Sequence, residues 1–182
     1  MLSPEAARQA AAEAGVPGQA ADLSIFRVLL NQPALARWIA DLLFGLLFRG
    51  SLDTRLRELV ILRLGWATGS VYEWTQHWRI ATRLGIPAAD LLAVRDWQTS
   101  TQLSEADRAV LAATDETLET GAISRDTWAR CRRHVGGDAE LLELVAAIGT
   151  WRLVSSVLRS LEVPLEEGVE PWPPDGRAPA TG

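Results

Sequence analysis

Three ionisable side chains stand at spacings that suit proton transfer: Glu58 in one helical segment, and Glu73 and His77 in the next. With Glu73 as origin and about 100° of turn per residue, His77 falls near 40°, Ile80 near −20°, Leu84 near 20° and Ala81 near 80°. Glu73 and His77 thus lie one turn apart inside an apolar arc and can touch. Tyr72, Gln76, Arg79 and Arg83 share the opposite arc, read as the wet one. Glu58 points the same way as Leu62 and Gly65, and the glycine leaves room for a ligand or another helix. Two carboxylates and an imidazole in apolar surroundings make an acid–base site, because burial raises a carboxyl pKa while a nearby imidazolium lowers it. The same residues admit a structural use. Ser70-Val71-Tyr72-Glu73 has the S-x-x-E form of a capping box, His77 fits a satisfied core histidine, and Arg55 or Arg57 can pair with Glu58. Residue types alone leave both readings open.

Other chemistries are poorly supplied. A single cysteine excludes an intramolecular disulfide, a Cys-rich zinc knuckle and any CxxC pair. Cys131, between Arg130 and Arg132, reads as an incidental helix cysteine, and His134 as a cation at a helix C-terminus. Glu58, Glu73 and His77 lack a second histidine and make a weak metal set, so no metal is expected. All eighteen basic residues are Arg; against twenty-three acids they leave a charge of −5, which argues against nucleic acid as a partner. The start, Met1-Leu2-Ser3-Pro4-Glu5, lacks the regions of a secretion signal. The most apolar run, Trp38 to Phe48, is about half the ~20 residues a membrane span needs, and Asp41 interrupts it. The expectation is a cytoplasmic protein with no membrane partner.

The elements that must hold these groups read as helices throughout, with no sustained period-two alternation. A length of 182 residues suits one domain. Residues 1–21 form a helical arm, 22–163 a helical domain, and 164–182 a Pro-rich tail, disordered or strapped to the surface by Trp172. Helices are expected over residues 4–14, 22–30, 34–48, 54–67, 71–84 and 87–97, then from Ser104-x-x-Asp107 to Thr120, from Ser124 toward Gly136, and over 139–161. The segments 54–67 and 139–161 are apolar in almost every direction, so they need cover on every side. A second subunit is the natural source, and a homo-oligomer is expected.

Residues 52–86, from Leu-Asp-Thr-Arg-Leu-Arg-Glu-Leu-Val-Ile-Leu-Arg through Tyr-Glu-Trp-Thr-Gln-His to Leu-Gly-Ile, resemble the core of the carboxymuconolactone decarboxylase family, which includes the alkylhydroperoxidase D-type proteins. The stretches from Glu105 and from Trp151 to Pro164 resemble it too. The peroxidase branch places a Glu, the two cysteines of a CxxC and a His where this chain has Glu58, Ser70, Glu73 and His77. Neither Ser70 nor Glu73 can exchange disulfides, so a thiol peroxidase is disfavoured. The resemblance implies an all-α, alkylhydroperoxidase D-like bundle, assembled as a trimer or as a hexamer built from trimers. It further implies a lyase of the decarboxylase type that uses neither metal nor organic cofactor.

On that reading a small cyclic or unsaturated carboxylic acid loses CO₂ through an enolate-like intermediate. His77 is expected to donate or shuttle the proton, with Glu73 tuning it. Glu58 is expected to act as a second acid/base or, protonated, to hold a substrate oxygen. Trp66, Trp74 and Trp78, with Ser70 and Tyr72, are expected to wall the substrate pocket. Arg55, Arg57 or Arg63 could bind a carboxylate, or serve only as surface charges. A related lyase or isomerase acting on a specialised metabolite uses the same groups. A non-catalytic oligomeric ligand-binding protein is the alternative of another class.

Overall fold

Short-range signals set most helix ends. The side chains of Ser3, Asp53, Ser104 and Ser124 each accept a hydrogen bond from a backbone N–H three residues on, and Ser104 and Asp107 complete a reciprocal capping box. The computed structural model describes residues 1–180, and among them there is no β-strand. The helices are α1 (Pro4–Ala14), α2 (Ser24–Leu29), α3 (Pro33–Phe48), α4 (Thr54–Thr68), α5 (Val71–Arg83), α6 (Ala88–Ala93), α7 (Glu105–Thr120), α8 (Arg125–His134) and α9 (Asp138–Ser160). A 3-10 turn, Gly18–Asp22, precedes α2, which is shorter than the periodicity predicts. Likewise α6 stops at Ala93, and residues 94–99 run on as turns.

Helix α4 is the axis of the bundle and packs against α5, α7 and α9. Leu59, Val60, Ile61, Leu62 and Leu64 are wholly buried by these neighbours. The chain therefore covers α4 on every side by itself, so the all-round apolar character of α4 requires no second subunit. Helix α9 differs: Leu141, Leu144, Ile148 and Trp151 face the core, while Leu142, Val145 and Leu153 are exposed. By length and composition α9 could cross a membrane, yet half of its most apolar stretch is packed inside the bundle, as in a core helix.

Gly69, at φ +69°, ends α4 in the left-handed conformation that glycine adopts without strain, and the chain reverses directly into α5. At Gly65 the two helices meet backbone to backbone. A Cβ there would stand 2.9 Å from the Trp74 amide nitrogen and 3.3 Å from its Cα. The space beside Glu58 is thus filled by another helix. Packing α5 this tightly on α4 sets His77 beside Glu58.

The N-terminal arm lies on α3 and on the 3-10 turn, with Ala7 and Ala11 wholly buried. The tail is strapped to the bundle. The Trp172 N–H donates to Thr75 Oγ1, Trp74 Nε1 donates to the Pro173 carbonyl, and Arg95 forms a two-bond pair with Asp175 at 2.8 and 2.9 Å.

Candidate active site

Beside the second half of α5 lies a cavity of about 280 Å³, a size at the lower end of small-molecule sites. Its apolar wall includes Phe26 and Phe44 from α2 and α3 and Trp151 and Val154 from α9. Its polar groups are Tyr72, Glu73, Gln76, His77 and Arg83, all on α5. These polar residues span the arc from Tyr72 and Arg83 through Gln76 and Glu73 to His77. The expected wet face of α5 is therefore the face that borders the cavity, and Tyr72 is buried.

Glu58 and His77 are joined by a 2.7 Å bond between Oε2 and Nδ1, while Arg57 donates to Glu58 Oε1 at 3.0 and 3.2 Å. Burial opposes the charge on Glu58. The attraction of His77 and Arg57, with the bonds they donate, outweighs it and holds the carboxyl below its ordinary value. An ionised Glu58 accepts bonds and cannot donate one, so the expected protonated form is not the form this site favours. The other imidazole nitrogen is also engaged: Trp151 Nε1 lies 3.1 Å from His77 Nε2. An indole N–H only donates, so Nε2 accepts, and the hydrogen of His77 sits on Nδ1, facing Glu58.

Glu73 has a different setting. It does not cap its own helix: the Ser70 side chain makes no capping bond, and its Oγ is buried without a partner. Nor does Glu73 bond to His77. Ser155 on α9 donates to its Oε2 at 2.7 Å, and Oε1, buried, has no partner among the described residues. Burial pushes this carboxyl well above its ordinary value, against the opposing effect of the Ser155 bond. The site thus pushes its two carboxyls in opposite directions, Glu58 toward the charged form and Glu73 toward the neutral one. The contact with His77 expected of Glu73 is made by Glu58.

The tryptophans expected to wall the pocket are elsewhere. Trp66, Trp74 and Trp78 form an aromatic cluster with Trp172, and the Arg95 guanidinium lies 4.6 and 4.9 Å from the Trp66 and Trp74 ring centres. Trp74 and Trp78 project from α5 about 100° and 140° away from Glu73, and the tail closes over that flank. Ser70 lies in a separate depression of about 350 Å³ with Arg159 and Glu162, and only Tyr72 and Leu158 border both hollows. The three arginines near Glu58 are committed to pairs: Arg55 to Asp90 and Asp107, Arg57 to Glu58, Arg63 to Asp115. Arg83, exposed at the cavity edge, has no ion pair among the described residues. The residues of α9 escaped sequence reasoning, although a buried Ser155 one turn from Trp151 in an apolar helix was a readable signal.

Glu166 of the tail accepts bonds from the Ser24 N–H and from two residues of the cavity wall, the Tyr72 hydroxyl and Gln76. Cys131 is wholly buried on α8, hydrogen-bonded to the Ala109 carbonyl, its thiol pushed up to about 11 chiefly by burial. Among the described residues no three His, Cys, Asp or Glu side chains group as metal ligands.

The sequence model of the carboxymuconolactone decarboxylase family matches residues 33–116, which include α3 to α5 and most of α7. Comparison with curated proteins found no match. Among solved structures, an AhpD-type protein of unknown function from Agrobacterium tumefaciens is similar with a TM-score of 0.69 and 21% identity, over 74% of this chain and 92% of that one. The debrominase Bmp8 in complex with 2,3,4-tribromopyrrole is similar with a TM-score of 0.70 and 19% identity, over 82% of each chain. A peroxidase-related protein with an AhpD core from Ralstonia eutropha gives a TM-score of 0.71 and 15% identity, over 87% of this chain and 82% of that one. At these identities the likeness is one of fold. Residues 33–116 thus match the carboxymuconolactone decarboxylase family model, and the chain has the all-α alkylhydroperoxidase D-like fold and lacks a CxxC pair.

Proposed function

We propose that this protein is a cofactor-independent acid–base enzyme that decarboxylates a small cyclic or unsaturated carboxylic acid. The observation that carries the reading is Glu73, a buried carboxyl in the cavity wall with one oxygen bonded to Ser155 and the other without a partner among the described residues. A neutral carboxyl in an apolar cavity is a proton donor. Loss of CO₂ from an acid whose carboxyl lies beta to a carbonyl, or in its vinylogue, leaves the bonding pair as an enolate. Glu73 Oε1 then supplies the proton that carbon requires.

His77 has a revised part in this scheme. Held between Glu58 and Trp151, it is a fixed wall of the site, and a substrate reaches its Nε2 only by displacing the Trp151 N–H. Arg83, the cation at the cavity edge, draws in an anionic substrate. Tyr72 borders the same space, whereas Trp66, Trp74, Trp78 and Ser70 act at a distance from it. Bmp8, which shares the fold, binds a small flat ring, in keeping with a cavity of this size. Thiol chemistry is poorly served, since positions 70 and 73 carry no sulfur and Cys131 is sealed away on α8.

The test is incubation of the purified protein in D₂O with cyclic β-keto acids and unsaturated lactone acids, followed by mass spectrometry. The expected product has lost CO₂ and gained one deuterium on carbon, and Glu73→Gln slows turnover by about 10²-fold or more. An isomerase would yield deuterium without loss of mass as CO₂. A Glu73→Gln variant as fast as the wild type would end the assignment.

A further inference from the structure

Glu73 is a proton donor whose own supply of protons is not obvious. The residue is 2% exposed and borders the cavity. One of its oxygens is bonded to Ser155, which does not line the cavity. Ser155 Oγ, itself 2% exposed, donates to Glu73 Oε2 at 2.7 Å. Thr68 Oγ1 lies 3.2 Å behind Ser155 Oγ and 2.7 Å from the Leu64 carbonyl. Thr68 is the last residue of α4, partly exposed, and lines an open surface depression with Ala67, Asp115, Leu118 and Glu119.

We propose that Thr68 and Ser155 form a proton relay that recharges Glu73 from solvent, on the far side of the site from the substrate; this rests on the reading of Glu73 as the proton donor. A hydroxyl carries one hydrogen and two lone pairs, so each relay residue can receive a proton on one side while releasing one on the other. Ser155 already donates inward to Glu73, and Thr68, whose one hydrogen rests on the Leu64 carbonyl at 2.7 Å, turns it to Ser155 Oγ, 3.2 Å away, by rotating about its Cβ–Oγ1 bond. Once Glu73 Oε1 has given its proton to the substrate carbon, the Ser155 Oγ–H proton passes to Glu73 Oε2. The Thr68 Oγ1–H proton replaces it on Ser155, and a proton from solvent replaces that one on Thr68. Each oxygen of the chain ends with the hydrogen count it began with, and the carboxylate has become a carboxylic acid. A half-turn of the carboxyl returns the acidic hydrogen to the cavity side.

A purely structural role would stop at Ser155, which supplies the hydrogen bond to Glu73 Oε2. Thr68 is already satisfied by the Leu64 carbonyl, so its approach to Ser155 adds no needed bond. What it adds is continuity to the surface depression.

Infrared spectroscopy of the full chain, without ligand, reads the relay directly. The carbonyl stretch of a protonated carboxyl is expected in the wild type and absent from Glu73→Gln. On transfer to D₂O this band shifts as the carboxyl hydrogen exchanges. Ser155→Ala and Thr68→Val are expected to slow that exchange by about tenfold or more, since exchange must then await local opening. Thr68→Ser, which keeps the hydroxyl, is expected to exchange like the wild type. Exchange at the wild-type rate in both Ser155→Ala and Thr68→Val, with the band intact, would overturn the relay while leaving Glu73 as donor. Absence of a band that depends on Glu73 would overturn the donor reading and the relay together.

Discussion

Glu58 and Glu73 are carboxyls of one cavity region with opposite requirements. Glu58 is stabilised as an anion by Arg57 and His77, and Glu73 is kept neutral by burial with only a hydroxyl for company. The same substitution should therefore act oppositely at the two sites. Glu58→Gln leaves the buried Arg57 without its counter-charge and is expected to cost about 3 kcal/mol or more in denaturant unfolding at neutral pH. Glu73→Gln preserves a neutral acceptor for Ser155 and removes a titration instead. The folded-state pKa of Glu73 lies above the ordinary 4.5, so its contribution to stability is present at low pH and is lost as pH rises through the raised value. Glu58, held below 4.5, loses its contribution as pH falls through the lowered value. Melting curves across pH are expected to show Glu73→Gln more stable than wild type on the alkaline side; a wild type equally stable there would contradict a neutral buried Glu73. The spacing of Glu58, Glu73 and His77 was enough to find this region. Their bonding was not legible, because it depends on Trp151 and Ser155, some 74 and 82 positions away from their partners.

At the level of elements, what decides the site is how closely α5 lies on α4. Gly65 permits that approach, and the residue was readable in the sequence as a place for either a ligand or a helix. Gly65→Ala places a methyl against the backbone of Trp74, which cannot swing aside as a side chain would. The helices must separate, at an expected cost of about 1–3 kcal/mol in chemical denaturation. A variant as stable as the wild type would show that the contact is softer than its 2.9 Å implies. Helix periodicity also ordered the residues correctly around α5, but it could not say which flank meets the cavity. The tail settles that question: Trp172 and Pro173 cover the tryptophan flank, and Glu166 ties Tyr72 and Gln76 to the cavity side. A contact made by residues 166–175 on α5 carries no local pattern, so the tryptophans were assigned to the pocket when they belong to the strap.

For the molecule as a whole, the remaining question is what covers its apolar surface. Leu35, Trp38 and Leu42 recur at i, i+3 and i+7 on α3, and all three are exposed, Trp38 by 68%. Leu142, Val145 and Leu153 form a second exposed stripe on α9, a helix that packs against α3, and the open Gly149 lies on the same line. Neither stripe is used by the core, the cavity or the tail. Contiguous apolar surface of this kind marks association, and a stable interface needs about 800 Å² from each partner. We therefore propose that copies of this chain assemble through α3 and α9, a basis different from the one suggested by the apolar sequence of α4, which the bundle itself covers. Sedimentation equilibrium is expected to give more than one chain per particle. The double variant Trp38→Glu, Leu153→Glu is expected to sediment as a single chain with its helical circular dichroism unchanged, because both positions are exposed and neither touches the cavity. A wild-type protein that sediments as a single chain would remove the proposal. An oligomer unaffected by the double variant would place the interface on some other surface.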